Sequence, residues 1–104
     1  MPLQPLTEEQ RAAAREKAKK ARLVRAEVKD AIKNRKMTIS QVLKMAETDE
    51  AVARLKVTDL LTALPGVGEV RSENILEELN IAASRRLRGL GIHQRRALIE
   101  LLDR

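Results

Sequence analysis

The chain has 104 residues and a formal net charge of +6 at pH 7, and it contains no Phe, Tyr, Trp or Cys. This length suits a single domain, whose core must be built from aliphatic residues that here favour helices over sheets. The lack of cysteine excludes disulfides, thiolate metal sites and cysteine nucleophiles, and no apolar run is long enough to span a membrane. Because the polar N-terminus also lacks the pattern of a signal peptide, we expect a cytoplasmic protein.

The basic residues are unevenly distributed along the chain. Residues 1–36 carry eleven Lys and Arg against five acidic residues, residues 37–64 carry three against four, and residues 65–104 carry seven against six. A second basic cluster without any acidic residue lies within the last of these segments. Two separated basic clusters predict a polyanionic partner, although composition alone does not identify it. The second cluster consists of Arg85, Arg86, Arg88, Arg95 and Arg96.

A long helix is predicted near the N-terminus. Two prolines among the first six residues indicate an extended lead-in. Thr7 and Gln10 then have the spacing of a capping box, in which each side chain accepts a hydrogen bond from the backbone N–H of the other. Residues 8–35 contain neither Gly nor Pro and are dominated by Ala, Arg, Lys and Glu, so they predict a helix about 40 Å long at 1.5 Å per residue.

The two halves of this helix differ in hydrophobicity. The first half is rich in Ala with charges on all sides, whereas Val24, Val28 and Ile32 form an apolar stripe on one face of the second half. We therefore predict that the second half packs on the core while the first half projects as a solvated basic helix. The predicted organisation is a lead-in and long basic helix over residues 1–36 and a helical core over residues 37–104, within one structural domain.

The remaining segments predict five further helices and no sheet. Three short helices begin at Thr38, Asp49 and Thr58, whose side-chain oxygens can cap a helix N-terminus, and two more follow over residues 69–79 and up to about residue 102. No segment alternates β-forming apolar and polar residues with a period of two, so the fold class is predicted to be all-α. The residues expected to face the core are Ile39, Val42, Leu43, Ala46, Ala51, Val52, Leu55, Leu60, Leu61, Leu64, Val70, Ile75, Leu76, Leu79, Leu98, Ile99 and Leu101.

The pattern Leu-x-Gly-apolar-Gly occurs twice, at residues 64–68 and 87–91, each time before a predicted helix. The first copy, Leu-Pro-Gly-Val-Gly, has the form of a helix-hairpin-helix. Its glycines permit a tight turn, its valine can anchor the turn in the core, and the N–H groups of the next helix can donate to a phosphate without reading bases. The candidate binding residues of this hairpin are Pro65, Gly66, Val67, Gly68 and Arg71.

Two observations limit the functional interpretation of the hairpin. Pro-Gly-x-Gly is also a good turn between two helices without any ligand. In addition, Glu69 lies where a cation would favour phosphate most, and three more glutamates follow within the same predicted helix. We therefore expect this hairpin to be the weaker of the two contacts.

The second copy lies in an arginine-rich loop, which gives the stronger prediction of phosphate binding. Three arginines fall within four residues beside a double-glycine turn, and two more follow one turn into the next helix. Arg offers a planar fork of donors that matches phosphate oxygens and can enter a narrow minor groove. Leu87 and Leu90 are expected to fix the loop to the core; the alternative is a merely solvated run of charges. The candidate residues are Arg85, Arg86, Arg88, Gly89, Gly91, Arg95 and Arg96.

The long helix supplies a candidate second binding surface. Helices rich in Ala, Lys, Arg and Glu are often simply well solvated, so its charges fit a DNA contact and a purely soluble helix equally well. If it lies opposite the arginine loop, the two surfaces could bridge two duplexes or bend one. The candidate residues on this helix are Lys19, Lys20, Arg22, Arg25, Lys29 and Lys33.

The sequence predicts neither an enzyme nor a cofactor site. His93 is the only histidine and has no cysteine or acidic cluster spaced for a metal, and the glycine turns lack the Gly-Lys-Ser/Thr ending of a phosphate-binding P-loop. Proteins that grip single-stranded nucleic acid usually stack bases on aromatic side chains. Because this chain has none, a duplex held by its backbone is the better candidate partner.

Three segments together resemble the actinobacterial integration host factor family: residues 6–14 (LTEEQRAAA), 55–68 (LKVTDLLTALPGVG) and 85–91 (RRLRGLG). The resemblance implies a monomeric, nucleoid-associated protein with a long N-terminal helix on a helix–two-turn–helix core, like that of a ribosomal small-subunit protein. It also implies weakly specific duplex binding, DNA bending and compaction, and assistance to phage integration. By position it assigns binding to the hairpin and to the arginine loop, and this chain departs from the family pattern at Glu69.

The predicted function is therefore architectural binding of double-stranded DNA through its phosphates, in the cytoplasm at the nucleoid, by a monomer of which several copies can occupy one DNA. A phage integrase nucleoprotein complex is a further expected partner, and no membrane partner is expected. Two alternatives remain open from the sequence: a binder of structured RNA, like the ribosomal relative of the fold, and a helical protein-interaction adaptor.

Overall fold

The computed structural model describes residues 5–103, and within them all regular secondary structure is helical. The described part contains no strand; its β-type pairing is an isolated antiparallel bridge between Lys56 and Arg86. The prediction of an all-α fold is confirmed. Residues 1–4 of the predicted lead-in and residue 104 at the end of the predicted core lie outside the described residues. The helices are α1 (Glu8–Lys33), α2 (Ile39–Ala46), α3 (Glu50–Ala53), α4 (Val57–Ala63), α5 (Glu69–Glu78) and α6 (Ile92–Leu102), with a 3-10 turn at Leu87–Gly89 before α6.

Helix α1 is bounded by local hydrogen bonds. The predicted capping box is confirmed: the N–H of Gln10 donates to Oγ1 of Thr7 at 3.1 Å, and the N–H of Thr7 donates to Oε1 of Gln10 at 2.9 Å. The helix ends two residues before the predicted limit, because Arg35 adopts a left-handed conformation with φ of 58°. The N–H of Lys36 then donates back to the carbonyl of Ala31 at 2.8 Å, which closes a Schellman-type cap.

The two halves of α1 have the predicted environments. Val28 and Ile32 are buried in the core and Val24 packs against it, whereas every residue from 8 to 20 is exposed. The helix has 26 residues, which corresponds to about 39 Å at 1.5 Å per residue. It accounts for the elongated shape of the molecule, 48 × 32 × 25 Å. The division of the chain at residue 36 stays a prediction, since the second half of α1 is itself part of the core.

The core is aliphatic and draws on every helix. Leu60, Leu61 and Leu98 are completely buried at its centre, and most of the residues predicted to face inward are buried or half-buried. The prediction for Val70 is wrong: this side chain is 72% exposed. It lies in the first turn of α5, whose inward face is instead formed by Ser72, Ile75 and Leu76 at helical spacing.

Helix α4 begins two residues earlier than predicted. Its N-cap is Lys56 and its first residue is Val57, so Thr58 lies inside the helix and caps nothing. The physical reason is tertiary: Lys56 is held extended by the bridge to Arg86, and Val57 is completely buried. The start of this helix is therefore fixed by packing and pairing with a distant segment.

The N-terminus of α2 is capped twice. Thr38 forms the predicted capping box with Gln41, and the carboxylate of Asp103 accepts hydrogen bonds from the N–H groups of Ile39 and Ser40, both at 2.8 Å. A carboxylate near the first turn of a helix also interacts favourably with the helix dipole. Asp103 therefore ties the end of α6 to the start of α2, across more than sixty residues of sequence.

Candidate nucleic-acid interface

The arginine loop, residues 85–91, is fixed to the junction between α3 and α4 by backbone pairing. The N–H of Val57 donates to the carbonyl of Arg85 at 3.0 Å, and the N–H of Leu87 donates to the carbonyl of Leu55 at 2.9 Å. Leu87 is 4% exposed and Leu90 is 9% exposed, so both leucines anchor the loop in the core as predicted. The arginines between and beside these anchors are exposed.

The three arginines of this loop have different partners. Arg85 donates from Nη1 to the carbonyl of Gly89 at 3.1 Å, and Arg86 donates from Nη1 to the carbonyl of Arg54 at 2.6 Å. Arg88 makes no hydrogen bond or salt bridge within residues 5–103. Its guanidinium therefore keeps all of its donors available to a ligand.

A basic groove lies between α1 and the arginine loop. Its floor on the α1 side is formed by small apolar side chains, Ala14, Ala18, Ala21 and Val24. The groove encloses about 800 Å³ and its walls carry eight basic side chains against two acidic ones, Glu50 and Asp59. Such an excess of cations around one concave surface concentrates positive potential there. The eight basic residues are Lys17, Lys20, Arg25, Lys29, Arg54, Lys56, Arg86 and Arg88.

In this arrangement part of α1 and the arginine loop share one surface, so they do not lie on opposite sides of the molecule. Lys20, Arg25 and Lys29 face the same groove as the arginine loop, because α1 packs against α3 and α4, to which that loop is paired. Arg25 also donates from Nη1 to the carbonyl of Ala51, at 3.4 Å. Lys19 and Arg22 lie elsewhere on α1, beside Arg15 and Glu16, and do not line the basic groove.

The hairpin, residues 64–68, has the exposed tight turn predicted for it. Gly66 has a φ of +80°, which strongly favours glycine, and the N–H of Val67 donates to the carbonyl of Leu64 at 3.1 Å. Val67 packs partly buried against the core, while Pro65, Gly66 and Gly68 are exposed. No side chain caps α5 after Gly68, so the first N–H groups of this helix are available to a ligand.

The hairpin lies beside the second half of α1, in a shallow hairpin groove. Lys29 and Lys33 line this groove together with Asp30 and Asp59. Lys29 and Asp59 also line the basic groove, so the two grooves meet along α1. The hairpin is therefore continuous with the surface formed by the arginine loop, but its surroundings are less basic.

Besides Lys19 and Arg22, seven predicted site residues line neither groove: Gly68, Arg71, Arg85, Gly89, Gly91, Arg95 and Arg96. Arg71 is exposed on α5, and Arg96 is exposed on α6 beside a separate depression that also includes Glu100. Arg95 is half-buried and donates from Nη2 to the carbonyl of Leu43 at 3.2 Å and to Oε1 of Glu47 at 2.9 Å. Its guanidinium thus links α6 to α2, and its side chain lines the same depression as Arg96.

The two glycines of the arginine loop have different surroundings. A Cβ on Gly89 would lie 2.9 Å from Cδ of Arg85, so this position accommodates the folded-back arginine. The N–H of Gly91 donates to Oε1 of Gln94 at 2.9 Å, and Nε2 of Gln94 donates to the carbonyl of Asn80 at 2.9 Å. The N–H of Gly91, the N-cap residue of α6, is therefore paired, while the first N–H groups within α6 have no side-chain acceptor.

Arg54 and Lys56 are site candidates that sequence reasoning missed. Both line the basic groove, next to Arg86 and Arg88. The available signal was weak: they are two of only three basic residues in the otherwise acidic segment 37–64. Their position beside the arginine loop depends on the pairing of residues 55–57 with 85–87, and local sequence patterns do not predict this pairing.

Residues 5–103 contain no group of three or more His, Cys, Asp or Glu side chains arranged to hold a metal ion. His93 is exposed. Among the described helices, none combines the length and the apolar character needed to cross a lipid bilayer.

Comparison with known proteins gives a domain match and matches over nearly the whole chain. Residues 32–102 match the family of S13-like H2TH domains. The chain is 55% identical to Integration host factor of Mycolicibacterium smegmatis over 99% of this chain and 98% of that protein. It is 56% identical to Integration host factor of Mycobacterium tuberculosis over 96% of this chain and 95% of that protein.

A solved structure is similar as well. It is a structure of sIHF bound to an 8bp palindromic DNA, with a TM-score of 0.82 and 42% sequence identity, and the alignment covers 84% of this chain and 98% of that one. Because the domain match spans most of the chain and the relatives align over nearly all of it, this chain belongs to the actinobacterial integration host factor family.

Proposed function

We propose that this protein is a nucleoid-associated, architectural DNA-binding protein that holds double-stranded DNA by its phosphates with little sequence specificity. The observation that carries the proposal is the basic groove, in which cations from α1, from the α3–α4 junction and from the arginine loop surround one concave surface. The solved structure of sIHF with DNA, at 42% identity and a TM-score of 0.82, supports a DNA duplex as the partner.

The chemistry of the groove favours backbone contacts over base reading. Lys and Arg side chains and the uncapped N-terminus of α5 are donors that suit phosphate oxygens, and such contacts position a protein on DNA without reporting its sequence. The chain has no aromatic residue on which an unpaired base could stack. A duplex is therefore favoured over a single strand.

The protein acts without catalysing a reaction, binds as a monomer with several copies on one DNA, and bends and compacts the duplex in the cytoplasm at the nucleoid. It also assists a phage integrase nucleoprotein complex. The arginine loop and the adjacent α1 cations supply the main contact, and the hairpin supplies a weaker one.

A salt titration of binding to random-sequence duplex DNA tests the proposal. Neutralising about five phosphates releases counterions, so log K is expected to fall against log salt with a slope near −4.5, from about −0.9 per contact. Failure to shift arbitrary linear duplex at low ionic strength would refute the proposed function.

Competition experiments at matched salt separate the remaining candidates. Structured RNA is the alternative suggested by the S13-like H2TH domain, and folded RNA that competes better than duplex DNA would favour it. A protein-interaction adaptor would instead retain its partners after nuclease treatment and at high salt, because polyanion contacts are screened under those conditions.

A further inference from the structure

We infer that the arginines of the arginine loop divide two tasks: Arg85 and Arg86 are positioning residues that hold the loop in shape, and Arg88 is the arginine that contacts phosphate. The inference rests on the proposed function, and it concerns how the loop is built. The three side chains lie within four positions of one another, yet their partners within the protein differ.

Arg86 connects the loop to α3. Its Nη1 donates at 2.6 Å to the carbonyl of Arg54, which is the C-cap residue of α3. Carbonyls at a helix C-terminus lack partners within the helix, so a guanidinium can supply the missing donor there. The backbone of Arg86 is also bridged to Lys56. Side chain and backbone together fix this residue against the core.

Arg85 closes the loop upon itself. Its side chain folds over the 3-10 turn and donates to the carbonyl of Gly89, four residues later. Gly89 does not have a positive φ, unlike Gly66, so its backbone conformation does not require glycine. A Cβ at position 89 would lie 2.9 Å from Cδ and 3.4 Å from Nη1 of Arg85. The absence of a side chain at Gly89 therefore makes room for Arg85.

Arg88 has neither kind of partner within the described residues. It lies in the 3-10 turn between the two buried leucines, so its backbone is well fixed while its side chain lines the basic groove. A guanidinium on a fixed backbone with all five donors available suits a bidentate contact with a phosphate.

Paired charge-removing substitutions test this division of tasks. Arg86→Gln and Arg88→Gln each remove one positive charge, so they are matched in net charge. Loss of a phosphate contact reduces the salt slope of log K by about 0.9, whereas loss of a positioning bond lowers affinity at all salt concentrations. We expect the slope to fall in Arg88→Gln only, and affinity to fall about three- to tenfold in Arg86→Gln with an unchanged slope.

Two results for the salt slope would overturn the inference. A slope that falls by the same amount in Arg86→Gln as in Arg88→Gln would make Arg86 a phosphate contact. An unchanged slope in Arg88→Gln would remove Arg88 from the contact. Wild-type protein that binds no duplex at all would instead refute the proposed function, so the two failures are distinguishable.

A double-mutant cycle that combines Gly89→Ala with Arg85→Ala tests the role of Arg85. Gly89→Ala is expected to weaken duplex binding about three- to tenfold in the wild-type background, because Arg85 must leave the carbonyl of Gly89. In the Arg85→Ala background the same substitution is expected to have no effect, since the obstructed side chain is gone. Ser84→Ala, an exposed position just before the loop, is the control and is expected to bind like wild type.

Thermal unfolding of wild type, Gly89→Ala, Arg85→Ala and the double variant provides a measurement that does not depend on DNA. The inference predicts that Gly89→Ala lowers the melting temperature in the presence of Arg85 and leaves it unchanged without Arg85. Equal effects of Gly89→Ala in both backgrounds, in binding and in melting temperature, would contradict it.

Discussion

The hairpin and the arginine loop carry the same Leu-x-Gly-apolar-Gly pattern before a helix, and in both the central apolar residue packs against the core. Their first glycines serve different purposes. Gly66 supplies a backbone conformation with φ of +80°, whereas Gly89 supplies the space occupied by the side chain of Arg85. One sequence pattern has thus produced two turns of different construction.

The helices that follow the two turns also begin differently. Neither α5 nor α6 has a side-chain acceptor for its first N–H groups, but α5 carries Glu69 in its first turn, whereas at α6 the N–H of the N-cap residue Gly91 donates to Gln94. The hairpin therefore offers backbone N–H groups in acidic surroundings, and the arginine loop offers guanidinium groups in basic ones. A shared glycine pattern therefore predicts a turn, while the residues that flank the pattern determine which hydrogen-bond donors the turn presents.

The largest expected effect comes from removing the arginine loop's charges. Replacing Arg85, Arg86 and Arg88 together by Ala should weaken duplex binding about a hundredfold or more, and should flatten the salt slope by at least about 0.9, across all DNA sequences. Fluorescence anisotropy at several salt concentrations measures both quantities. Unchanged affinity would mean that the hairpin, and not the arginine loop, makes the main contact with DNA.

Gly66→Ala examines the conformational requirement of the hairpin. A left-handed residue with a side chain costs about 1–2 kcal/mol, so the free energy of unfolding should fall by about 1 kcal/mol in urea denaturation. Gly68→Ala is the matched comparison, because Gly68 has a φ of −93° and an added Cβ meets no atom within 4 Å. Equal destabilisation by the two substitutions would show that conformation at Gly66 is not the cause.

Gln94→Ala examines the two hydrogen bonds that hold the start of α6. The substitution removes the acceptor for the N–H of Gly91 and the donor to the carbonyl of Asn80, so stability should fall by about 1 kcal/mol. Thermal unfolding measures the loss. A stability equal to that of wild type would mean that water replaces both bonds and that the two helix starts are energetically alike.

The smallest expected effect is a gain in binding. Glu69→Gln removes an exposed negative charge from the first turn of α5, next to N–H groups that can donate to phosphate. Affinity for duplex DNA should rise about two- to threefold at low salt and converge with wild type at high salt, because the repulsion is screened. Glu77→Gln, exposed near the other end of α5, provides the control for a general change in net charge.

The parts of the fold that follow from local chemistry could be predicted from the sequence. The capping boxes at Thr7 and Thr38 and the apolar stripe of α1 depend only on residues within a few positions of each other. The start of α4 and the exposure of Val70 could not be predicted in this way. Both depend on which segment packs against the helix, which periodicity alone does not state.

The candidate site was predictable to a similar degree. The exposed arginines and their two leucine anchors follow from the sequence pattern of the loop. The proximity of α1, Arg54 and Lys56 to that loop depends on the pairing of residues 55–57 with 85–87. The position of Arg95 could not be predicted either. The charge pattern groups it with the basic cluster, whereas in the structure its salt bridge to Glu47 holds it against the end of α2.

That pairing across thirty residues has a thermodynamic consequence. An unfolded chain cannot assemble the basic groove, since its walls come from three distant segments. A ligand that binds only the native state raises the free energy of unfolding, by about 2.7 kcal/mol when present at one hundred times its dissociation constant. Protein molecules with an occupied groove should therefore resist unfolding and proteolysis better than molecules with an empty one.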